Sequence, residues 1–104
     1  MPHQFEIVEN LNQRTRTQYP YLLVLQHDRL TSLRSTIAAP LVEWTAALAN
    51  VRIHPTLTLG EHRYIVLIEE LAAVPPSVFG PGAGSAEAQR YDIIAALDLL
   101  FTGI

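Results

Sequence analysis

The chain has 104 residues, 49% of them apolar and 16% charged, the balance of one packed globular domain over residues 1–104 and not of a disordered tail. Its net charge is −3, and its seven basic residues are all arginine, scattered from Arg14 to Arg90 without a patch; direct nucleic-acid binding is therefore not expected, and a protein or small-molecule partner is. It has no cysteine, no leader-like start and no apolar run of ~18 residues, which excludes a disulfide scaffold, a thiolate nucleophile, signal-peptide export and a membrane span, and leaves a cytoplasmic protein as the expectation.

Phe5-Glu6-Ile7-Val8 reads as a first strand, and Asn10 to Gln18, polar and without period, as an exposed loop. Tyr19-Pro20-Tyr21-Leu22-Leu23-Val24-Leu25 is apolar almost throughout and, after its proline, too short for a helix. It predicts a core strand covered on both faces. The stretch Thr36 to Val42 carries Pro40, which has no N–H to give to a ladder, so a sheet edge, a strand end or a bulge is expected there.

From Val51 to Leu59 the apolar residues alternate, with Val51, Ile53, Leu57 and Leu59 on one face, and Gly60-Glu61 divides this run from Tyr64-Ile65-Val66-Leu67-Ile68. The pattern is a β-hairpin. Glycine first in a two-residue turn supplies the positive φ such a turn needs, and a turn that tight pairs Leu59 with His62 and Leu57 with Tyr64. Val74 to Phe79 reads as a proline-limited extended piece, and Gly80-Pro81-Gly82-Ala83-Gly84 as a flexible connection.

Ser85 is placed to cap a helix with Glu87 in its first turn. At helical spacing Ile93, Leu97, Leu100 and Ile104 form one stripe, with Ile94 and Phe101 beside it, while Tyr91, Ala95, Asp98 and Thr102 point away. Short strands followed by one terminal helix give an α+β or barrel-like architecture.

No catalytic set stands out along the chain. Of the four histidines, His54 and His62 fall apart in the hairpin, and His3 and His27 have no ligand spacing, so neither a metal nor another cofactor is expected. Glu69-Glu70 would point to opposite faces of a strand, as a solvated strand end does. Gly82-Ala83-Gly84-Ser85 lacks the lysine and the spacing of a phosphate cradle, and Ser85 is not in a hydrolase elbow. A binding protein is expected, and not an enzyme.

His54-Pro55-Thr56-Leu57, Gly60-Glu61, the run Leu71-Ala72-Ala73-Val74-Pro75-Pro76-Ser77-Val78-Phe79-Gly80 and the final Phe101-Thr102-Gly103-Ile104 resemble, in order and spacing, the CcdB family of gyrase poisons. In that family Val-Pro-x-Ser-Val precedes the helix and the chain stops at Phe-Trp-Gly-Ile. Gln4-Phe5, Leu25-Gln26-His27-Asp28 and Ile37-Ala38-Ala39-Pro40-Leu41 extend the resemblance, more loosely, over nearly the whole chain. It implies a homodimer on a twisted, barrel-like antiparallel β-sheet with one C-terminal helix, a fold shared with ribonuclease toxins of the MazF type. It implies a toxin that enters the A-subunit dimer of DNA gyrase and traps the enzyme with its DNA cleaved, and a CcdA-like antitoxin that removes it.

On the matching positions, the resemblance implies gyrase contacts at Leu30, Asp98, Phe101, Thr102, Gly103 and Ile104. Thr102 stands where the family has its outward tryptophan, Asp98 where it has asparagine, and Arg29-Leu30 where it has an isoleucine pair. A helix running to Ile104 leaves its last carbonyls and carboxylate to a partner, although the helical wheel equally lets Ile104 complete the buried stripe. Arg14 and Arg16 are candidates for meeting acidic residues of the antitoxin, with a solvated loop as the plainer reading. Three functions follow in order: a gyrase-directed toxin; a family member that no longer poisons gyrase and binds antitoxin or regulates its operon; and a MazF-like endoribonuclease, against which the acidic balance and the missing catalytic set count.

Overall fold

In the computed structural model, which describes residues 2–30 and 33–104, the apolar runs become strands: β1 (Glu6–Asn10), β2 (Tyr21–Val24), β3 (Thr36–Glu43), β4 (Thr56–Leu59), β5 (His62–Val66), β6 (Ala72–Val74) and β7 (Phe79–Ser85). A short helix, α1 (Ala46–Ala49), precedes β4, and α2 (Arg90–Thr102) closes the described chain. Met1, part of the start read above as carrying no leader, lies outside the described residues.

The strands form one antiparallel seven-stranded sheet in the order β4-β5-β3-β2-β1-β7, with β6 on β3. The sheet curls into a half-barrel, and its two ends meet: a Cβ on Gly84 of β7 would lie 2.8 Å from Leu59 Cδ2 of β4. Inside the curl, Phe5, Ile7, Leu23, Leu41, Val66 and Ile68 pack against Ile93 and Ala96 of α2. The other face carries a smaller cluster of Val8, Leu22 and Ala38 under Val74, Val78 and Phe79. Alternate residues of β2 thus enter different clusters, as a strand covered on both faces must.

The hairpin forms in the expected register, with Leu59 opposite His62 and Leu57 opposite Tyr64, and Gly60 at φ 60°. Val51 departs from it: residues 51–53 turn after α1, and Val51 is exposed.

Pro40 also departs from expectation, since β3 is central and Pro40 is buried. The reason is a change of partner. On one side β3 pairs with β6 through Thr36, Ile37 and Ala38, then with β5 through Leu41, Val42 and Glu43, so residues 39 and 40 face no ladder strand there. The Pro40 carbonyl accepts from the Leu67 N–H on that side at 3.0 Å, and the donor that proline lacks falls in the same gap.

Residues 80–84, expected as a flexible connection, are strand β7, paired with β1 through Gly84 opposite Ile7 and Gly82 opposite Val8. Glycine is required by close approach: a Cβ on Gly80 would stand 3.0 Å from the Glu9 carbonyl oxygen and 2.9 Å from Leu11 Cδ2. Ser85 ends this strand and its hydroxyl accepts the Glu87 N–H at 3.1 Å, but it does not cap the helix as expected: a 3-10 turn (Glu87–Gln89) intervenes, and α2 starts after Gln89. Glu69 and Glu70 likewise lie in a 3-10 turn (Ile68–Glu70) and not on a strand.

Candidate functional site

Helix α2 is fixed to the sheet at its start. Phe5 is buried with φ 67°, a left-handed conformation rare for an aromatic residue, and its backbone spans two elements. Its N–H donates to Val24 of β2 at 2.7 Å, and its carbonyl accepts from Ala86, just before the helix, at 2.8 Å. Arg90, in the helix's first turn, places its guanidinium 5.3 Å from the centre of the Phe5 ring.

Only Ile93 and Ala96 of α2 are fully buried; Ile94, Leu97 and Leu99 are half-buried. Tyr91, Ala95, Asp98 and Thr102 face outward as the wheel indicates. Three members of the expected apolar face do not join the core: Leu100 is 36% exposed, Phe101 70% and Ile104 87%. Ile104 therefore does not complete a buried stripe. The helix stops at Thr102, two residues before Ile104, because Gly103 turns left-handed at φ 77° and returns its N–H to the Leu99 carbonyl at 3.0 Å. That left-handed turn steers Ile104 off the helical path.

The Thr102 hydroxyl donates to the Asp98 carbonyl at 2.6 Å, which leaves its methyl as the group with no bond to make. Beside this helix end lies a groove of about 560 Å³ between the α1–β4 connection and α2; Arg52, His54, Asp92, Ala95, Leu99 and Ile104 are among its walls.

His54, in the groove wall, is buried and bonded at both ring nitrogens. Nδ1 lies 2.8 Å from the Leu48 carbonyl of α1, and Nε2 lies 2.8 Å from both carboxylate oxygens of Glu69. Both neighbours are acceptors, so an N–H of the ring is the donor in either contact. The pair ties α1 to the turn after β5. Sequence reasoning missed it because a strand would have sent Glu69 elsewhere. His62 is exposed at the start of β5, and among the described residues no group of three or more His, Asp or Glu is placed to hold a metal.

Leu30 is exposed but belongs to a different region, a 3-10 turn (Asp28–Leu30) after β2. That turn is tied to the N-terminal segment: Asp28 accepts the Gln4 N–H at 2.8 Å, and His3 Nδ1 stands 3.3 Å from its other oxygen. The Gln4 bond is the chief reason the Asp28 carboxyl lies below its ordinary value of 3.8, with His3 and His27 adding to it against a desolvation penalty.

Arg14 and Arg16 sit on a third region, and their loop is more ordered than its polar composition suggests. Buried Asn10 donates to Thr15 Oγ1 at 3.0 Å and to the Tyr19 carbonyl at 2.9 Å while accepting the Asn12 N–H; Asn12 in turn accepts the Arg14 N–H. The signal for this was Asn10-x-Asn12, two residues whose side chains close turns on their own backbone. The structure thus brings Asp98, Phe101, Thr102, Gly103 and Ile104 together at one helix end and leaves Leu30 and the two arginines on other parts of the surface.

Solved structures share this fold. An endoribonuclease in complex with its cognate antitoxin, from a mycobacterial species, aligns with a TM-score of 0.72 at 12% identity over 94% of this chain and 92% of that one. A mycobacterial endoribonuclease aligns with a TM-score of 0.69 at 10% identity, over 93% and 88% of the two chains. Likeness at such identity is likeness of fold. It corrects the expectation that the chain is not an enzyme: this fold carries endoribonucleases, so the lack of a familiar catalytic motif in the sequence does not set the chain apart from enzymes.

No helix of the described residues is long and apolar enough to cross a membrane. A comparison with curated protein sequences finds no match. The family model described as CcdB protein matches residues 4–103, which take in the hairpin, the Val74–Val78 stretch and helix α2, and the chain therefore belongs to the CcdB family, whose members are toxins of toxin–antitoxin modules.

Proposed function

We propose that this protein is the toxin of a toxin–antitoxin pair, that it acts as a homodimer in the cytoplasm, and that it binds the A subunit of DNA gyrase through the end of α2, trapping or inhibiting the enzyme. The observation that carries this reading is the exposure of two large apolar side chains, Phe101 and Ile104, on either side of a left-handed glycine cap. A helix end that turns such groups outward presents them for burial against a partner. Phe101 is the aromatic residue placed to anchor the contact, with Thr102 adding a methyl in place of the family's larger ring. Leu30 contributes from its separate turn. The cognate CcdA-like antitoxin neutralises the toxin, with Arg14 and Arg16 on the Asn10-pinned loop offering cations to its acidic residues.

The test is to incubate the purified protein with gyrase from its own organism, ATP and supercoiled plasmid. Linear DNA that accumulates with the protein present supports the reading; a folded protein that neither linearises DNA nor slows supercoiling refutes it. A second reading, an endoribonuclease like those of the same fold, draws on the structural likeness. Cleavage of RNA by the purified protein in the absence of gyrase distinguishes it.

A further inference from the structure

We infer that Asp98 is a specificity-determining contact that requires a cationic side chain, Arg or Lys, on the gyrase A-subunit surface that meets the end of α2. The inference rests on the proposed function and adds to it the chemistry that the partner must present.

Asp98 lies in the last turns of α2, where the helix dipole is negative and an acidic side chain is disfavoured. Among the described residues nothing offsets that. The last turn holds no basic residue, and among the described residues no ion pair or side-chain hydrogen bond reaches the Asp98 carboxylate. The Thr102 hydroxyl bonds to the backbone carbonyl of Asp98 and not to its side chain. The cation of α2, Arg90, sits at the far end of the helix, over the Phe5 ring and 4.0 Å from Glu87. A second copy of the helix therefore offers Asp98 only a cation that is already engaged.

On its face of the helix Asp98 is flanked by exposed Ala95 one turn back and by Phe101, 70% exposed, and the Thr102 methyl one turn on. A partner that buries Phe101 also takes water from Asp98. An enclosed carboxylate without a countercharge opposes binding strongly, whereas one that meets a guanidinium or ammonium steers encounter and fixes register. The charge that stands where the family has a neutral asparagine thus selects for a basic partner surface and against a neutral or acidic one.

The experiment measures binding of the full-length chain to the A subunit of gyrase from its own organism, at low and high salt, for the native chain, Asp98→Asn and Asp98→Lys. The Asn variant is expected to bind roughly tenfold more weakly at low salt and with a flatter salt dependence, and the Lys variant more weakly still. Both should melt at or above the native temperature, since a like charge leaves the helix end. Equal affinity and equal salt dependence for the native and Asn chains overturn the inference while leaving the proposed function standing. No binding by the folded native chain overturns both.

Discussion

At the scale of single residues, backbone and side-chain bonds that cross between elements decide what the site looks like. Phe5 falls within a stretch that reads as a strand, and nothing in Gln4-Phe5-Glu6 announces a positive φ at an aromatic residue. The conformation persists because the ring is in the core while the two backbone groups hold β2 and the start of α2, a set of partners invisible to local pattern. Asp28 plays a comparable part on the surface, where it holds the N-terminal segment to the turn carrying Leu30. Its carboxylate is favoured in the fold, chiefly by the Gln4 N–H, so its folded pKa lies below the ordinary 3.8. The stabilisation is then fully present above pH 3.8 and is lost as pH falls through the folded value, with no change near neutrality. An NMR titration of the Asp28 side-chain carboxyl should give a midpoint below 3.8; a midpoint at or above it contradicts the tether.

At the scale of elements, what was legible in the sequence is what local chemistry controls. The hairpin from Leu57 to Tyr64 could be read to the residue because a glycine-led two-residue turn sets both φ and register. Strand β7 could not, since its residues 80–84 have the composition of a linker and its pairing partner, β1, lies far away in sequence. The glycines are there for proximity, not for flexibility. Replacing Gly80 by Ala should therefore cost about 1–3 kcal/mol in urea unfolding, because the added methyl meets the Glu9 carbonyl and not a movable chain end. An unchanged midpoint would mean that β7 has room at this position. Helix α2 was legible as an element, but its apolar residues were not separable into those for the core and those for a partner. A helical wheel continues the stripe through Ile104, whereas Gly103 ends the helix first.

At the scale of the whole molecule, a sheet curled until β4 touches β7 leaves α2 packed on its inner face and three outward regions: the end of α2, the Asp28–Leu30 turn and the Asn10-pinned loop. Family membership was readable from the order and spacing of short motifs along the chain, and the match over residues 4–103 agrees. The site was readable only in part. Asp98, Phe101, Thr102, Gly103 and Ile104 do share one helix end, but the order of the Arg14–Arg16 loop depends on a buried asparagine whose bonds only the fold displays. The fold alone is compatible with more than one kind of toxin, as its endoribonuclease neighbours demonstrate, so what separates the proposed functions is that helix end. On the proposed function, gyrase is engaged there. The most direct measurement is the plasmid cleavage assay with gyrase from the same organism, run side by side with the full chain and with a chain lacking Gly103 and Ile104. Linear DNA is expected with the full chain and none with the shortened one, at equal folded concentration; linear DNA in equal amounts from both would show that gyrase is not engaged through this end.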